Sequence, residues 1–225
     1  MTINGNRAGA PGRRKVLIVD DHPIVRRGLA DLISSQPDLE VCGEASTVAE
    51  ALQELEKTRP DVVLTDLALK GAHGIELIEQ IKARDERIKI LVSSVHDEML
   101  FAERALRAGA MGYISKQEPT ETLLEAIRQV LRGEIHLSSR MTGRLLRNVR
   151  SGGSVGQDPV ESLSNRELEV FQMIGQGLTT QQIARNLGLS PKTIETHREK
   201  IKEKMNLKNS AELNRRAVQW VLENG

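Results

Sequence analysis

Val16-Leu-Ile-Val-Asp20-Asp21 and Val62-Val-Leu-Thr-Asp66 are short runs, apolar and rich in β-branched residues, and each stops on a carboxylate. Continuous rather than alternating apolar runs suit strands covered on both faces, as in a parallel sheet flanked by helices. Ligands of such sheets bind beyond the carboxyl ends of the strands. Two strands would thus deliver Asp20, Asp21 and Asp66 to one edge and build an anionic pocket. Hard oxygen donors of this kind favour magnesium or calcium. The competing reading is that Asp20 or Asp21 caps the following helix, because Asp is a good N-cap.

Composition sets the context. The chain has 225 residues and a formal net charge of +1, a length compatible with one domain or two. No apolar run approaches the roughly 18–20 residues of a membrane span. Arg13, Arg14 and Lys15 precede only a short apolar run, too short for a secretion signal. A single cysteine, Cys42, leaves no intrachain disulfide and no Cys-based zinc site, so a cytoplasmic protein without a membrane partner is expected. Residues 1–138 carry 18 Lys+Arg against 22 Asp+Glu, whereas residues 161–225 carry 10 against 8. An acidic front and a mildly basic rear point to different partners for the two ends.

Alternation organises the front. Strand-like runs at Lys15–Val19, Leu39–Gly43, Val62–Thr65, Lys89–Ser93 and Gly112–Ile114 alternate with helix-periodic segments. The helical segments are Ile24–Ser34, Thr47–Lys57, Gly74–Arg84, Met99–Ala108 and Thr120–Arg132. Five such units predict a doubly wound parallel sheet. Met141–Val149 has helical spacing and adjoins a Gly/Ser-rich linker at Ser151–Pro159. Only helices are expected after it, at Asn165–Gln176, Thr180–Leu187, Pro191–Met205 and Ser210–Glu223. The expected organisation is a disordered tail over 1–13, an α/β domain over 14–132, a linker with a short helix over 133–160, and an all-α domain over 161–225.

Asp20-Asp21-His22-Pro23, Thr65-Asp66-Leu67, Ser94 and Ala110-Met-Gly-Tyr113-Ile-Ser-Lys116 resemble the receiver domain of two-component response regulators. Leu163-Ser-Asn-Arg-Glu-Leu-Glu-Val and the block Gly177 to His197 resemble the LuxR-type helix-turn-helix. Together they are similar to the NarL/FixJ subfamily, over residues 14–223. The resemblance implies a flavodoxin-like five-stranded receiver followed by a DNA-binding domain. It implies that Asp66 is the phosphoacceptor, its carboxylate attacking phosphorus. It also implies Mg²⁺ held by Asp20, Asp21, Asp66 and the backbone carbonyl of Ala68, with Lys116 pairing with Asp66 in the empty pocket. Ser94 would be the switch hydroxyl, with Ser93 as the alternative if the register slips, and Tyr113 the aromatic that repacks with it. Ala68-Leu-Lys70 departs from the family pattern: Ala68 has no polar side chain to orient water, and Lys70 adds a cation. His96 reads as an exposed loop histidine. Without metal the carboxylates are left unscreened, so Asp20→Asn and Asp21→Asn are expected to raise stability.

In the rear domain Thr179 and Ser190 are expected N-caps, Pro191 the first residue of the recognition helix, and Gly188 its preceding turn. Ile194, Ile201 and Met205 form the inward stripe. Glu195, Thr196 and Glu199 are then candidate base readers. Gln181, Lys192, Thr193, Arg198, Lys200 and Lys204 are candidate phosphate contacts, which supply affinity rather than sequence. In the last helix, Leu213, Ala217, Val218 and Val221 share a face that serves as core or as a symmetric interface, the resemblance favouring an interface. The receiver is expected to cover the recognition helix before phosphorylation. Implied partners are a sensor histidine kinase, a second copy of the chain, DNA with paired half-sites, and RNA polymerase.

Other functions fit less well. A dehalogenase-type phosphatase needs a second carboxylate two residues after its nucleophile, where this chain has Ala68. A quorum-sensing regulator needs an aromatic-lined pocket, and the chain has only two Phe, one Tyr and one Trp. A phosphorylation-independent regulator whose receiver only dimerises or inhibits is the remaining alternative. The chain is not expected to be an enzyme, apart from slow loss of its own phosphoryl group.

Overall fold

The computed structural model describes residues 12–69, 72–150 and 159–224. Residues 1–11 of the tail expected over 1–13, Lys70 and most of the Gly/Ser-rich segment lie outside them. Five strands form the front sheet: β1 (Arg14–Val19), β2 (Leu39–Ala45), β3 (Val62–Thr65), β6 (Lys89–Ser94) and β7 (Gly112–Ser115). All pair in parallel, in the order β2-β1-β3-β6-β7. Helices α1 (Pro23–Ser34), α2 (Val48–Thr58), α3 (Gly74–Arg84), α4 (Glu98–Arg107) and α5 (Thr120–Arg132) connect them. The continuous apolar runs have the cause expected of them, because both faces of the central strands are covered. Val16, Ile18, Leu64 and Leu91 pack with Ile33, Leu124 and Ile127 on one side. Leu17, Val19, Val63 and Val92 pack with Leu55, Ile78 and Phe101 on the other.

One pair of strands has no counterpart in the sequence pattern. After Asp66 the chain forms a small antiparallel ribbon, β4 (Ala68–Leu69) with β5 (Ala72–His73), Ala68 pairing with His73. Gly74 follows, where any Cβ would run into the carbonyl of Asp66, so only glycine lets α3 start so close to that loop. His73 is 1% exposed and caps α3, its Nδ1 accepting from Ile75 N at 3.2 Å. Burial holds its imidazole at about 4, against the opposing pull of Glu169. A histidine neutral in the fold but ordinary when unfolded adds stability above its unfolded pKa, and that stability fades as pH falls toward the folded value. We therefore expect a loss of about 3 kcal/mol between roughly pH 6.5 and pH 4. His73→Asn, which keeps a capping side chain, should flatten this part of the pH profile in denaturant melts. An unchanged profile would mean that His73 is not what titrates.

Helix α6 (Ser139–Arg150) leads to the second domain. That domain holds α7 (Asn165–Gly175), α8 (Thr180–Leu187), α9 (Pro191–Lys204) and α10 (Ser210–Asn224), after a short 3-10 turn at Pro159–Ser162. Ser164 caps α7 and Thr179 caps α8, each in a capping box. Gly188 ends α8 at φ 63°, and Ser190-Pro191 open α9. Of the two roles expected for helix α10, core and symmetric interface, the structure shows the first for one of its faces and leaves the other, with Val218 and Leu222, exposed. Leu213, Ala217 and Trp220 are buried core, Trp220 lying 5.5 Å from the Phe171 ring, whereas Val218 is turned out to solvent. Gly175 makes that core possible, since a Cβ there would strike the Ala217 carbonyl where α7 and α10 cross.

Candidate functional site

The parallel register carries the ends of β1, β3, β6 and β7 to one edge, where Asp20, Asp66, Ser94 and Lys116 meet. Asp66 is 2% exposed. Its Oδ1 accepts from Leu67 N at 2.6 Å and Ala68 N at 3.3 Å, so the backbone of the β3–β4 turn orients the carboxylate. Neither Asp20 nor Asp21 is the helix cap; His22 occupies that position, and Asp20 Oδ1 accepts from His22 N at 2.8 Å. The ring Nδ1 of His22 lies 2.7 Å from Asp21 Oδ1. Asp20, Asp21, His22 and Asp66 each offer one ligand atom within 4.8 Å of the others. A cluster of three carboxylates on a polar rim fits a hard divalent cation.

Lys116 holds this cluster together. Its Nζ donates to Asp20 Oδ2 and to Asp66 Oδ2, both at 2.6 Å. Burial alone would lower its pKa, but Asp66 and Asp20 outweigh burial and raise it, so it stays charged. This corrects the expectation of unscreened repulsion. Asp20 is already compensated, and Asp20→Asn should lower metal-free stability by about 1–2 kcal/mol by weakening the pair with Lys116. Asp21 is 2.7 Å from the exposed His22 ring, and Asp21→Asn is expected to be neutral or stabilising. Thermal melts in a chelator decide this, and a stabilised Asp20→Asn would refute the bridging role of Lys116.

Ser94 and Ser93 point to opposite faces of β6. Ser94 has the parity of Ile90 and Val92, which share the cluster of Tyr113, while Ser93 follows Leu91 and faces Ile114. Ser94 is fully buried and accepts from His96 N at 3.3 Å. Tyr113, 1% exposed, donates its hydroxyl to His96 O at 2.9 Å, and burial raises its pKa above the ordinary value. His96 is not an exposed loop histidine: its side chain is 8% exposed and lies 3.0 Å from Glu169 of α7. Sequence inspection missed this because the partner lies far along the chain and belongs to the other domain.

Helix α9, expected to be the recognition helix, is open to solvent. Lys192, Glu195, Thr196, Glu199 and Lys200 are exposed, with Thr193 and Arg198 half-buried and Gln181 exposed on α8. The receiver therefore does not cover this helix, contrary to expectation. It packs on α7 and α10 instead, through Arg104 to Leu163 O at 2.7 Å and through a cleft lined by Leu100, Gln172 and Trp220. Glu195 accepts from Thr180 Oγ1 at 2.7 Å, and Glu199 lies 2.9 Å from Lys202, so both carboxylates are oriented rather than free. Lys204, expected among the phosphate contacts, is exposed, and its Nζ donates to Glu167 Oε2 at 2.6 Å.

These two sites define a signalling protein with a receiver in front and a DNA-binding domain behind. Residues 16–128 match the response regulator receiver domain family, and residues 161–217 match the bacterial regulatory proteins of the luxR family. The chain belongs to the NarL/FixJ subfamily of two-component response regulators, which are DNA-binding regulators of transcription. It is 37% identical to the transcriptional regulatory protein LiaR of Bacillus subtilis, over 86% of this chain and 91% of that one. It is 34% identical to the nitrate/nitrite response regulator NarL of Escherichia coli, over 92% and 94%. Among solved structures it is similar to RcsB of Salmonella enterica, bound to a promoter in the presence of the phosphomimetic BeF3⁻. That similarity is 27% identity at a TM-score of 0.59, covering 92% of this chain and 98% of that one. Among the described residues no helix is long and apolar enough to cross a membrane.

Proposed function

We propose that the protein accepts a phosphoryl group on Asp66 from a partner histidine kinase and, so modified, binds paired DNA half-sites as a dimer to control transcription. The observation that carries this reading is the Lys116 ammonium bridging Asp20 and Asp66 at the sheet edge. It leaves one carboxylate oxygen of Asp66 held by backbone amides and the other against a fixed cation. In the transfer, an Asp66 oxygen forms the new P–O bond as the P–N bond to the kinase imidazole breaks. Lys116 then meets the charge of the phosphoryl oxygens. Asp20, Asp21 and Asp66, whose ligand atoms lie within 4.8 Å of one another, would hold Mg²⁺, with the Ala68 carbonyl as the further donor the resemblance implies, and the ion would supply charge neutralisation. Ala68 offers no polar side chain to orient a water, consistent with a phosphoryl acceptor rather than an enzyme that turns over. The cytoplasm, where kinase and chromosome are both accessible, is the compartment this reading requires.

The test is intact-mass measurement after incubation with a small acyl phosphate and Mg²⁺, followed by gel-shift titration of the product at one fixed salt concentration. A gain of one phosphoryl group together with tighter DNA binding is expected. DNA binding that never changes on phosphorylation would favour the alternative, a receiver that only inhibits or dimerises.

A further inference from the structure

The exposed side of α9 carries its charges in rows. Glu195, Glu199 and Glu203 recur at every fourth residue and are all exposed, so they form one acidic row along the helix. Lys192, Lys200 and Lys204 follow the same spacing beside it, with Thr196 between them. Arg198 and Lys202 lie on the other side and reach back to the acids. Arg198 Nε is 3.7 Å from Glu195 Oε2, and Lys202 Nζ is 2.9 Å from Glu199 Oε2. The acidic row is thus flanked by cations on both sides, while Ile194 and Ile201 bury the opposite face.

Acids on a helix offered to DNA cost affinity. Residues 161–225 carry 10 Lys+Arg against 8 Asp+Glu, so these carboxylates cancel much of the charge that attracts phosphate. They do little for the fold, since the Glu195 and Glu199 side chains are 56% and 62% exposed and such exposed pairs add little stability. In the middle of a major groove the row would lie furthest from both phosphate strands, which the flanking cations would face. The donors on the base edges there are the amino groups of cytosine and adenine. Adenine sets its amino group beside the N7 acceptor, which repels a carboxylate, so cytosine is the better match. Glu195 is already aimed for this. Thr180, the first residue of α8, donates Oγ1 to Glu195 Oε1 at 2.7 Å, which fixes that oxygen and leaves Oε2 to accept from a base.

We propose that Glu195 and Glu199 make this protein select cytosine at two positions of each half-site, and that Thr180 is the positioning residue that aims Glu195. The proposal rests on the DNA-binding part of the proposed function and not on phosphorylation. Four residues of helix span about 6 Å, so the two cytosines lie one or two base pairs apart at about 3.4 Å each. The carboxylates supply discrimination rather than affinity, because on other sequences they face acceptors.

The experiment selects bound sequences from random duplex DNA with the full-length chain, with and without a small acyl phosphate and Mg²⁺. Gel shifts then compare the selected site with random duplex at one fixed salt concentration. Wild type should recover half-sites with two cytosines at that spacing. Glu195→Gln should turn one of them toward adenine, since an amide pairs with adenine N6 and N7, and Glu199→Gln should turn the other. Each glutamine variant should bind random duplex more tightly and lower the ratio of selected-site to random affinity at least about tenfold. Thr180→Val should relax the Glu195 position alone, leaving the Glu199 position and the affinity for random duplex unchanged, which a merely structural role would not do. Cytosines retained by both glutamine variants, a wild-type half-site without them, or no selected sequence in either state would overturn the proposal. The same cytosines recovered equally with and without the phosphodonor would uphold it and count against phosphorylation as the trigger.

Discussion

Asp66→Asn is expected to abolish phosphoryl uptake, lowering labelling by a small acyl phosphate more than a hundredfold, or about 3 kcal/mol of barrier. The substitution keeps the shape of the side chain and its bonds to Leu67 N and Ala68 N, and removes only the anionic nucleophile. Lys116 retains Asp20 at 2.6 Å, so it is not left as an unpaired buried cation. Stability should change by no more than about 1–2 kcal/mol. Intact mass after phosphodonor treatment, read beside a thermal melt, makes the measurement. Undiminished labelling in the folded variant would move the acceptor elsewhere.

Phe171→Ala is expected to unfold the second domain and remove DNA binding, leaving the receiver folded. Phe171 is fully buried, and its ring packs on Trp220 at the α7–α10 crossing. Truncating such a residue costs about 3–5 kcal/mol, comparable to the whole stability of a small domain. The sheet core, where Leu17, Val63 and Val92 pack, loses no atoms. Calorimetry should show the receiver transition persisting and Trp220 emission becoming that of an unfolded chain. Retention of wild-type emission and DNA affinity would show that α10 is not held by this contact.

The acidic pocket was legible for a chemical reason. Strands buried on both faces must be apolar throughout, so the carboxylates of Asp20 and Asp66 mark where each strand leaves the core. The caps Thr179 and Ser190 were equally legible, because a helix start exposes amides that a hydroxyl one turn away can satisfy. The β4–β5 ribbon was not, because two-residue strands carry too few side chains to show a period. Helix α10 showed an apolar stripe, but whether such a stripe meets its own domain or a second chain depends on what lies opposite. Gly175 lets α7 come close enough to bury Leu213 and Ala217, while Val218 and Leu222 stay exposed.

The sequence by itself determined the alternating front half, the sheet with its acidic edge and the all-helical rear half, since each follows from local periodicity and from where charges interrupt it; the helix offered to DNA came from the family resemblance. Only the tertiary structure decided that Lys116 neutralises Asp20 as well as Asp66, that Lys204 turns to Glu167, and that His96 is buried against Glu169. Those pairings join residues 96, 37 and 73 positions apart. A charge reveals its partner only once the folded backbone brings the two within a few ångströms, where burial makes leaving either unpaired too costly.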